Sequence, residues 1–207
     1  MSVIECKCGR CKLTVKGQRA VLSLLCACED CRQAAQWGAA RGGKAPRMLP
    51  KLFYVRSDIT GTEGDSFMRP YQLRNGAKST RVFCTECYSI LGVDHPAYND
   101  NVFMFFDGHC KTNLDLSVEP TAAINMDSYP GEELPTLPPS LPVINNHHAN
   151  TDELERFLAL PKRIAAFADS KTPLFGRTFR EFVGSLGEIK VLNLEIGETP
   201  KSPKETG

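Results

Sequence analysis

The stretch Cys26-Ala27-Cys28-Glu29-Asp30-Cys31 places three thiols within six residues, directly after the short apolar run of residues 21–25. Zinc in proteins prefers four tetrahedral ligands, and thiolate sulfur binds it at about 2.3 Å. Three protein ligands with a fourth position left free are typical of a reactive zinc site. This stretch therefore predicts an open metal site held by Cys26, Cys28 and Cys31.

Two shorter cysteine groups lie on either side of this stretch. Cys6-Lys7-Cys8 stands near the start of the sequence, and Cys84-Thr85-Glu86-Cys87 has the spacing of a zinc knuckle between two predicted strands. The simplest partition closes one structural site with both of these groups, Cys6 and Cys8 with Cys84 and Cys87, and leaves the other three thiols for the open site. Spacing alone does not force this partition, because Cys11 could also pair with Cys8 as a Cys-x-x-Cys unit.

Other potential ligands fit these sites less well. The sequence has nine cysteines, and Cys11 and Cys110 lack a partner at the expected spacing, so we expect them to be buried free thiols. His109 is expected to be a polar loop residue, and the pair His147-His148 is expected to be exposed to solvent. The metal is expected to be zinc, although iron also accepts four thiolates.

Three kinds of side chain adjoin the predicted open site. Arg32 could bind a substrate carboxylate through its guanidinium group, or pair with Glu29 or Asp30 at the surface. The two acidic residues could act as acid or base, but acidic residues between zinc ligands usually face solvent. Trp37, the single tryptophan, is expected to pack in the core or form a pocket wall.

Composition excludes several classes of protein. The chain has 207 residues, of which 42% are hydrophobic, and a net charge of +1, so it is expected to be globular and not to bind nucleic acid through a basic field. No apolar run approaches the roughly 18–20 residues of a membrane span. Residues 1–9 lack the features of a secretory signal, so we expect a reducing, cytoplasmic compartment, where clustered cysteines favour metals over disulfides.

Short alternating or apolar segments dominate the first half, which indicates a mainly-β fold. Turn-forming residues separate them, including residues 58–64 and the hairpin signal Asn75-Gly76. The predicted strands cover residues 12–16, 21–25, 52–55, 68–73, 81–83, 89–93 and 102–106.

The second half has a different pattern. Five prolines in residues 129–142 prevent regular ladders and helices, so this part is interpreted as an extended strap. A helix is predicted for residues 151–167, with Thr151 as its N-cap and Pro161 kinking or dividing it, and a second for residues 175–186. The predicted organisation is a zinc-binding domain at 1–126, a strap at 127–150, a helical extension at 151–190 and a disordered tail at 191–207.

The order of the cysteine groups resembles the glutathione-dependent formaldehyde-activating enzyme family, which also includes centromere protein V. The matching motifs cover roughly residues 3–125 and include Tyr71 and Gly108. They are Cys6-Lys7-Cys8-Gly9, then Cys26-Ala27-Cys28-Glu29-Asp30-Cys31-Arg32, then Phe83-Cys84-Thr85-Glu86-Cys87.

The resemblance implies a β-tent fold similar to that of Mss4-like proteins, with a C-terminal helical extension added in this chain. It implies the same partition: Cys6, Cys8, Cys84 and Cys87 around a structural zinc, and Cys26, Cys28 and Cys31 around a second zinc. It also implies a carbon–sulfur lyase reaction that joins glutathione to formaldehyde. Knuckles of this family usually carry glycine where this chain has Tyr88, and a larger residue restricts positive φ.

Three functions are compatible with the sequence. The first is a carbon–sulfur lyase that forms or cleaves a thiol–carbonyl adduct from glutathione and an aldehyde. The second is an enzyme that uses the same zinc on a specialised metabolite without glutathione, with the extension as a lid. The third is a non-catalytic zinc interaction module, which the mixed charge of residues 197–207 disfavours for nucleic acid.

Overall fold

The computed structural model describes residues 1–168 and 176–200, and these contain two β-sheets and four α-helices. Short 3₁₀ turns lie at Asp65–Phe67, Pro96–Tyr98 and Met126–Ser128. The strands are β1 (Ser2–Cys6), β2 (Lys12–Val15), β3 (Leu22–Cys26), β4 (Lys51–Arg56), β5 (Ile59–Glu63), β6 (Met68–Gln72), β7 (Thr80–Cys84), β8 (Ile90–Asp94), β9 (Val102–Phe106), β10 (Cys110–Thr112), β11 (Ala123–Ile124), β12 (Val143–Ile144) and β13 (Lys190–Val191). The helices are α1 (Glu29–Ala39), α2 (Thr151–Leu158), α3 (Pro161–Phe167) and α4 (Phe179–Ser185).

The smaller sheet has the order β10-β1-β2-β5, and all of its pairs are antiparallel. Its strands alternate between buried and partly exposed residues, because one face packs on the core and the other faces solvent. Ile4, Leu13 and Val15 are on the buried face. The sheet brings Cys6, at the end of β1, next to the core.

The larger sheet has the order β12-β11-β3-β4-β9-β8-β7-β6-β13. Its central strands β4, β7 and β9 are almost continuously buried, as expected where both faces of a sheet are covered. The short strands β11 and β12 add in parallel at one edge, so that Cys26, Ile124 and Ile144 lie side by side on adjacent strands. Because β12 belongs to the strap and β3 ends at Cys26, this pairing places the C-terminal part of the strap beside the three-cysteine stretch.

The helices fall into two groups. Helix α1 follows β3 directly, and its N-cap is Cys28, whose sulfur accepts a hydrogen bond from the backbone N–H of Cys31. The second group, α2, α3 and α4, lies in the extension. Helices α2 and α3 are separated at Pro161, which cannot continue the hydrogen-bond ladder. None of the helices in the described residues is long and apolar enough to cross a membrane.

The mainly-β fold class with a C-terminal helical extension is confirmed. Each predicted strand overlaps an observed strand, and the hairpin at Asn75-Gly76 joins β6 to β7. Residues 58–64, predicted to be a turn, instead contain β5, because Ile59 is buried and this edge pairs with β2. Helix α1 was not predicted, since its first turn was interpreted only as a cysteine motif.

The C-terminal part differs in detail from the prediction. The N-cap of α2 is Asn150, not Thr151, and its side chain accepts the backbone N–H of Glu153. The predicted helix at 175–186 is observed as α4, and Phe175 lies outside the described residues. Within the predicted tail, Leu192 and Leu194 make backbone hydrogen bonds to the end of β6 and the residue after it. Residues 201–207 lie outside the described residues, and for them the disordered tail stays a prediction.

Candidate metal sites and active site

The four cysteines of the two outer groups come together between the sheets. Cys6 and Cys84 end β1 and β7, and Cys8 and Cys87 lie in the turns that follow. The four sulfurs all lie within 4.8 Å of one another, with 3.4 Å between those of Cys6 and Cys8 and 3.7 Å between those of Cys8 and Cys84. The structure thus places together the four residues predicted for the closed site.

This group fits a tetrahedral metal ion. Two thiolates bound to one zinc at about 2.3 Å stand about 3.8 Å apart in tetrahedral geometry, close to the two sulfur separations above. Burial opposes ionisation of Cys87, but hydrogen bonds from Ser89 lower the pKa of Cys87 to about 6, which favours the thiolate that a metal needs. The group could therefore hold a metal ion, and its donor set is typical of zinc.

The residue after the second cysteine of the knuckle has a left-handed backbone conformation, although it is not a glycine. Tyr88 has a φ of 51°, a conformation that glycine adopts more easily. The ring of Tyr88 packs edge-on against Trp37, with 5.6 Å between ring centroids, and this contact helps to hold the turn. Trp37 itself is buried in the core against Tyr71 and Phe83, as expected for a packing role.

The other two cysteines lie outside both groups. Cys11 is fully buried, its thiol contacts the carbonyl of Gly64, and burial raises its pKa to about 12. The thiol of Cys110 contacts the carbonyl of Ile90, and burial raises its pKa well above the ordinary value. Both are free thiols outside the two groups, as predicted, but Cys110 is only partly buried.

The three middle cysteines form a second group at the junction of β3 and α1. The sulfurs of Cys26, Cys28 and Cys31 lie within 4.8 Å of one another. Backbone N–H groups of Cys28 and Cys31 donate to the sulfurs of Cys26 and Cys28, each at 3.4 Å. The buried side chain of Asn125, just after β11, donates to the sulfur of Cys26 at 3.5 Å. N–H donors to sulfur stabilise thiolates, so this group too could hold a metal ion.

The three thiols cannot all ionise without a cation. Hydrogen bonds from Cys28 and Cys31 hold the pKa of Cys26 well below its ordinary value. The same contacts with Cys26 raise the pKa of Cys28 and of Cys31. A divalent metal removes this conflict by balancing the negative charge, and three thiolates leave one tetrahedral position for another ligand.

Side chains from the strap, the extension and the zinc-binding domain form a roof on one side of this group. The name roof refers here to six side chains, each of which contacts the next through its ring or its guanidinium group. They are His147, Phe157, Arg163, Phe167, Tyr54 and Tyr98. The ring of Phe157 lies 4.5 Å from that of His147 and 4.7 Å from the guanidinium carbon of Arg163. Phe167 lies 4.8 Å from the same guanidinium and contacts both tyrosines.

The roof lies close to the three-cysteine group. His147 interacts electrostatically with Cys28, and the buried Tyr54 and Tyr98 interact with Cys26 and Cys31. The exposure predicted for the histidine pair is correct for His148 but wrong for His147, which is 9% exposed. The reason is that the strap ends in β12, which pairs with β11 and carries His147 back to the domain.

A cleft opens on another side of the group. It lies between α1, the loop before β4 and the turn after β9, and is lined in part by Cys31, Arg32, Lys44, Arg47 and His109. His109 was expected to be a polar loop residue, but it is only 7% exposed, and its Nδ1 has no hydrogen-bond partner among the described residues. Burial and the nearby Lys44 lower the pKa of His109 to about 4, so its imidazole is neutral at pH 7.

The acidic residues beside the ligands are engaged with other parts of the chain. Asp30 forms an ion pair with Arg74 at 2.6 Å, and the buried Arg81 lies 4.0 Å away. Glu29 accepts a hydrogen bond from the backbone of Gly197. Arg32 does not pair with either of them, and instead donates to the carbonyl of Ser128 at 3.1 Å. Arg32 is thus free of the surface ion pair that was its alternative interpretation.

Residues 1–128 match the family model of the glutathione-dependent formaldehyde-activating enzyme, which covers more than half of the chain and both cysteine groups. The chain belongs to the glutathione-dependent formaldehyde-activating enzyme family. Its mainly-β fold and its two cysteine groups agree with the Mss4-like β-tent architecture expected of that family. A search of the curated proteins gave no significant match. The strap and extension lie beyond the matched residues.

Sequence reasoning missed several residues near the three-cysteine group. Asn125 carries no motif, but its positive φ of 57° and its place after a two-residue strand are set by tertiary pairing. Lys44 and Arg47 lie in a loop that only the fold brings next to His109. The burial of His147 also carries no signal in the sequence, because it depends on the pairing of β12 with β11.

Proposed function

We propose that this chain is a zinc-dependent carbon–sulfur lyase that forms or cleaves a thiol–carbonyl adduct, such as S-hydroxymethylglutathione from glutathione and formaldehyde. The observation that carries the proposal is the group of three sulfurs, Cys26, Cys28 and Cys31, with hydrogen bonds to two of them and no fourth cysteine among the described residues within reach. Membership in the glutathione-dependent formaldehyde-activating enzyme family supports the reaction class. The proposal includes a second, structural zinc at the four-cysteine group and a cytoplasmic location.

The residues of the site would have distinct roles in this reaction. Cys26, Cys28 and Cys31 would hold the reactive zinc, and Asn125 would keep Cys26 oriented and ionised. When bound, zinc would lower the pKa of an incoming thiol, so that its sulfur is a thiolate at neutral pH. Arg32, which follows the third ligand directly, would bind a carboxylate of the substrate.

The reaction balances without a further reactant. In the forward direction the sulfur of the thiol forms a bond to the carbonyl carbon, the carbon–oxygen π bond breaks, and the thiol proton ends on the oxygen. The reverse direction cleaves the same carbon–sulfur bond and releases the aldehyde. No electron acceptor is needed, which suits a site built only of thiolates and a metal without redox chemistry.

The roof favours a second candidate function. His147 comes from the strap, and Phe157 and Arg163 come from the extension, so all three lie outside the residues matched by the family model. A pocket covered in this way can select a substrate other than the small aldehyde and glutathione that the family name implies. The alternative is therefore the same zinc chemistry on a specialised metabolite.

Exchange spectroscopy by NMR tests the lyase proposal. Carbon-13 formaldehyde and glutathione also form the adduct without a catalyst, and the zinc-loaded chain is expected to accelerate the exchange between free and adduct carbon. Cys28→Ser should lose this acceleration, whereas Cys110→Ser, which removes a thiol outside both groups, should keep it. A wild-type chain that does not accelerate the exchange would rule out the glutathione reaction and favour the second candidate.

A further inference from the structure

The guanidinium group of the roof has no anionic partner. Arg163 lies in α3, and its guanidinium carbon is 4.7 Å from the ring centroid of Phe157 and 4.8 Å from that of Phe167. Among the described residues it makes no hydrogen bond and no ion pair, and its Nε is buried without a partner. Burial lowers the pKa of Arg163, because removing an unpaired charge from water is unfavourable. A bound anion would offset this loss of solvation.

Neighbouring side chains do not balance the charge of Arg163. Tyr54 interacts with it electrostatically, but burial raises the pKa of Tyr54 well above its ordinary value, so the phenol is neutral. Glu153 lies in the preceding helix α2, and its carboxylate binds the backbone N–H of Asn145 at 2.7 Å and the guanidinium of Arg156 at 3.0 Å. The N–H groups of Arg163 are therefore left for a ligand.

Hydrogen bonds from the zinc-binding domain fix the end of α3. Arg56, the last residue of β4, donates to the carbonyl of Ala166 at 2.8 Å, and Asn101 donates to the carbonyl of Phe167 at 3.1 Å. These donors satisfy carbonyls that a helix leaves free at its C-terminus. Arg163 lies one turn before Phe167 on the same face of the helix, so its position relative to the domain is also fixed.

Arg163 and the three-cysteine group share two neighbours. Tyr54 interacts electrostatically with Arg163 and with two of the three cysteines. His147 interacts with Arg163 and with Cys28, the third, and its Nδ1 is buried without a partner among the described residues. A molecule between the roof and these sulfurs can therefore present one end to Arg163 and the other to the open metal position. Aromatic side chains exclude water there, which strengthens an ion pair with the guanidinium.

The anion belongs to the carbonyl reactant and not to the thiol. Arg32, in the cleft on another side of the group, is already the proposed partner of a substrate carboxylate. Formaldehyde has no group that a guanidinium can bind, so it would leave Arg163 unpaired. Arg163 also lies outside residues 1–128, which match the family model, so it is an addition to the domain of the family. Its charge would offset the repulsion between an anionic aldehyde and a site of three thiolates with one divalent cation.

We propose that Arg163 binds the carboxylate of an oxo acid, here an aldehyde that also carries an acid group, whose carbonyl carbon reacts with the thiol at the three-cysteine group. The guanidinium lies over the rings of Phe157 and Phe167, and its N–H groups can bind both oxygens of a carboxylate. The sulfur bonds to the carbonyl carbon, the carbon–oxygen π bond breaks, and the thiol proton ends on that oxygen, while the carboxylate is unchanged. The inference rests on the proposed function and deepens it by naming the class of carbonyl reactant.

Two pairs of aldehydes test the inference by binding alone. Glyoxylate is compared with acetaldehyde, and 4-oxobutanoate with butanal, so that the members of each pair have equal chain length and differ in the acid group. Proton NMR titration of the zinc-loaded chain, without added thiol, gives the dissociation constants. We expect at least one of the oxo acids to bind about tenfold more tightly than its neutral partner, as a charge-assisted hydrogen bond implies.

Substitutions at Arg163 locate this preference. Arg163→Gln should reduce it to less than about twofold and leave binding of the neutral aldehydes unchanged. Arg163→Lys should keep part of it, because lysine retains the charge but not the planar fork. Arg156→Gln is the matched control, because Arg156 lies in the same extension but pairs with Glu153. Its preference should equal that of the wild type at equal zinc content.

Failure of this inference and failure of the proposed function give different results. If the wild type binds the acid and the neutral aldehyde equally well in both pairs, or if the preference survives Arg163→Gln, the inference is overturned. Acceleration of the exchange between formaldehyde and glutathione would in that case still support the lyase function. If the preference depends on Arg163 but the chain accelerates adduct exchange with neither formaldehyde nor an oxo acid, the carboxylate site stands and the proposed function is wrong.

Discussion

The side-chain amide of Asn125 donates a hydrogen bond to the sulfur of Cys26, with 3.5 Å between Nδ2 and Sγ. Asn125 is buried and has a φ of 57°, so both its position and its backbone are fixed by the pairing of β11 with β3. The bond orients a predicted zinc ligand and stabilises its thiolate.

Asn125→Gly should weaken metal binding at the three-cysteine group without unfolding the chain. Glycine keeps the left-handed backbone but removes the donor, and loss of such an outer contact typically lowers metal affinity about 10- to 100-fold. Competition with a chromophoric chelator measures the affinity of the weaker of the two zinc ions.

Asn193→Gly is the matched control for this prediction. Asn193 is exposed, lies outside both cysteine groups and has a φ of 55°, so the same substitution changes the backbone in the same way. It should leave both zinc affinities unchanged. Equal losses in the two variants would mean that backbone entropy, not the bond to Cys26, accounts for the effect.

The two cysteine groups should differ in what their loss does to the fold. Cys87→Ser opens the four-cysteine group, which ties the smaller sheet to β7, and should give an insoluble or molten chain, because metal-binding energy there is folding energy. Cys28→Ser should stay folded, with one zinc per chain instead of two. Zinc content and near-ultraviolet circular dichroism of the soluble fraction measure both.

Cys11→Ala is the control for that pair. Its thiol is buried close to the four-cysteine group but is not one of the four. It should keep two zinc ions per chain and a cooperative unfolding transition. A chain that lost one zinc in Cys11→Ala would contradict the partition, as would a Cys28→Ser chain that unfolds as completely as Cys87→Ser.

The metal sites could be predicted better than their surroundings. Cys26, Cys28 and Cys31 are local in sequence, so their spacing alone predicts a shared ion. The pairing of Cys6 and Cys8 with Cys84 and Cys87 could be stated only as the simplest of several partitions. The two groups are far apart in the sequence, so the distance between their sulfurs depends on how the intervening residues fold.

The rest of the site depends on long-range contacts that leave no local pattern. His147 is buried because β12 pairs in parallel with β11, and a two-residue strand after a proline-rich strap has no signal of its own. Lys44, Arg47 and His109 meet in the cleft although two separate segments carry them, the loop before β4 and the turn after β9. Helix α1 was hidden for a different reason, because its cap is a cysteine and not one of the usual capping residues.

Asp30 should matter for stability and not for chemistry. Its carboxylate pairs with Arg74 and lies 4.0 Å from Arg81, which is 2% exposed. Asp30→Asn leaves a buried cation without its nearby carboxylate and should cost about 1–3 kcal/mol of unfolding free energy, less than a fully buried pair because Asp30 is partly exposed. Urea unfolding of the zinc-loaded chain measures the loss.

Glu29→Gln serves as the comparison, since glutamine can still accept the backbone N–H of Gly197. It should change the free energy of unfolding by no more than about 0.5 kcal/mol. If Asp30→Asn instead leaves stability intact and removes the acceleration of adduct exchange, Asp30 is an acid or base of the reaction.

Stability should fall in mild acid through His109. Burial lowers the pKa of His109 to about 4, whereas the unfolded chain has an ordinary histidine pKa near 6.5. Between these values the unfolded state binds a proton that the folded state does not, so stability decreases as pH falls from about 6.5 to about 4 and is unaffected above that range. The full difference between these two pKa values corresponds to roughly 3–4 kcal/mol.

The pH effect is isolated by comparing variants. His109→Gln should reduce the difference in melting temperature between pH 7 and pH 5 without removing it, because burial also lowers the pKa of His147 to about 4. His148→Asn, at an exposed histidine, should change that difference less. Loss of metal in acid affects all three chains alike and cancels in the comparison. Identical slopes in wild type and His109→Gln would show that His109 is not neutral in the folded state.

Calorimetric titration of the zinc-loaded chain with glutathione, repeated on Cys28→Ser, tests the central claim most directly. The account predicts saturable binding to the wild type that disappears in Cys28→Ser, because the sulfur of glutathione would occupy the position left open by the three thiolates. Binding that persists unchanged in Cys28→Ser, or no binding to the wild type, would contradict a thiol-accepting metal site at these cysteines.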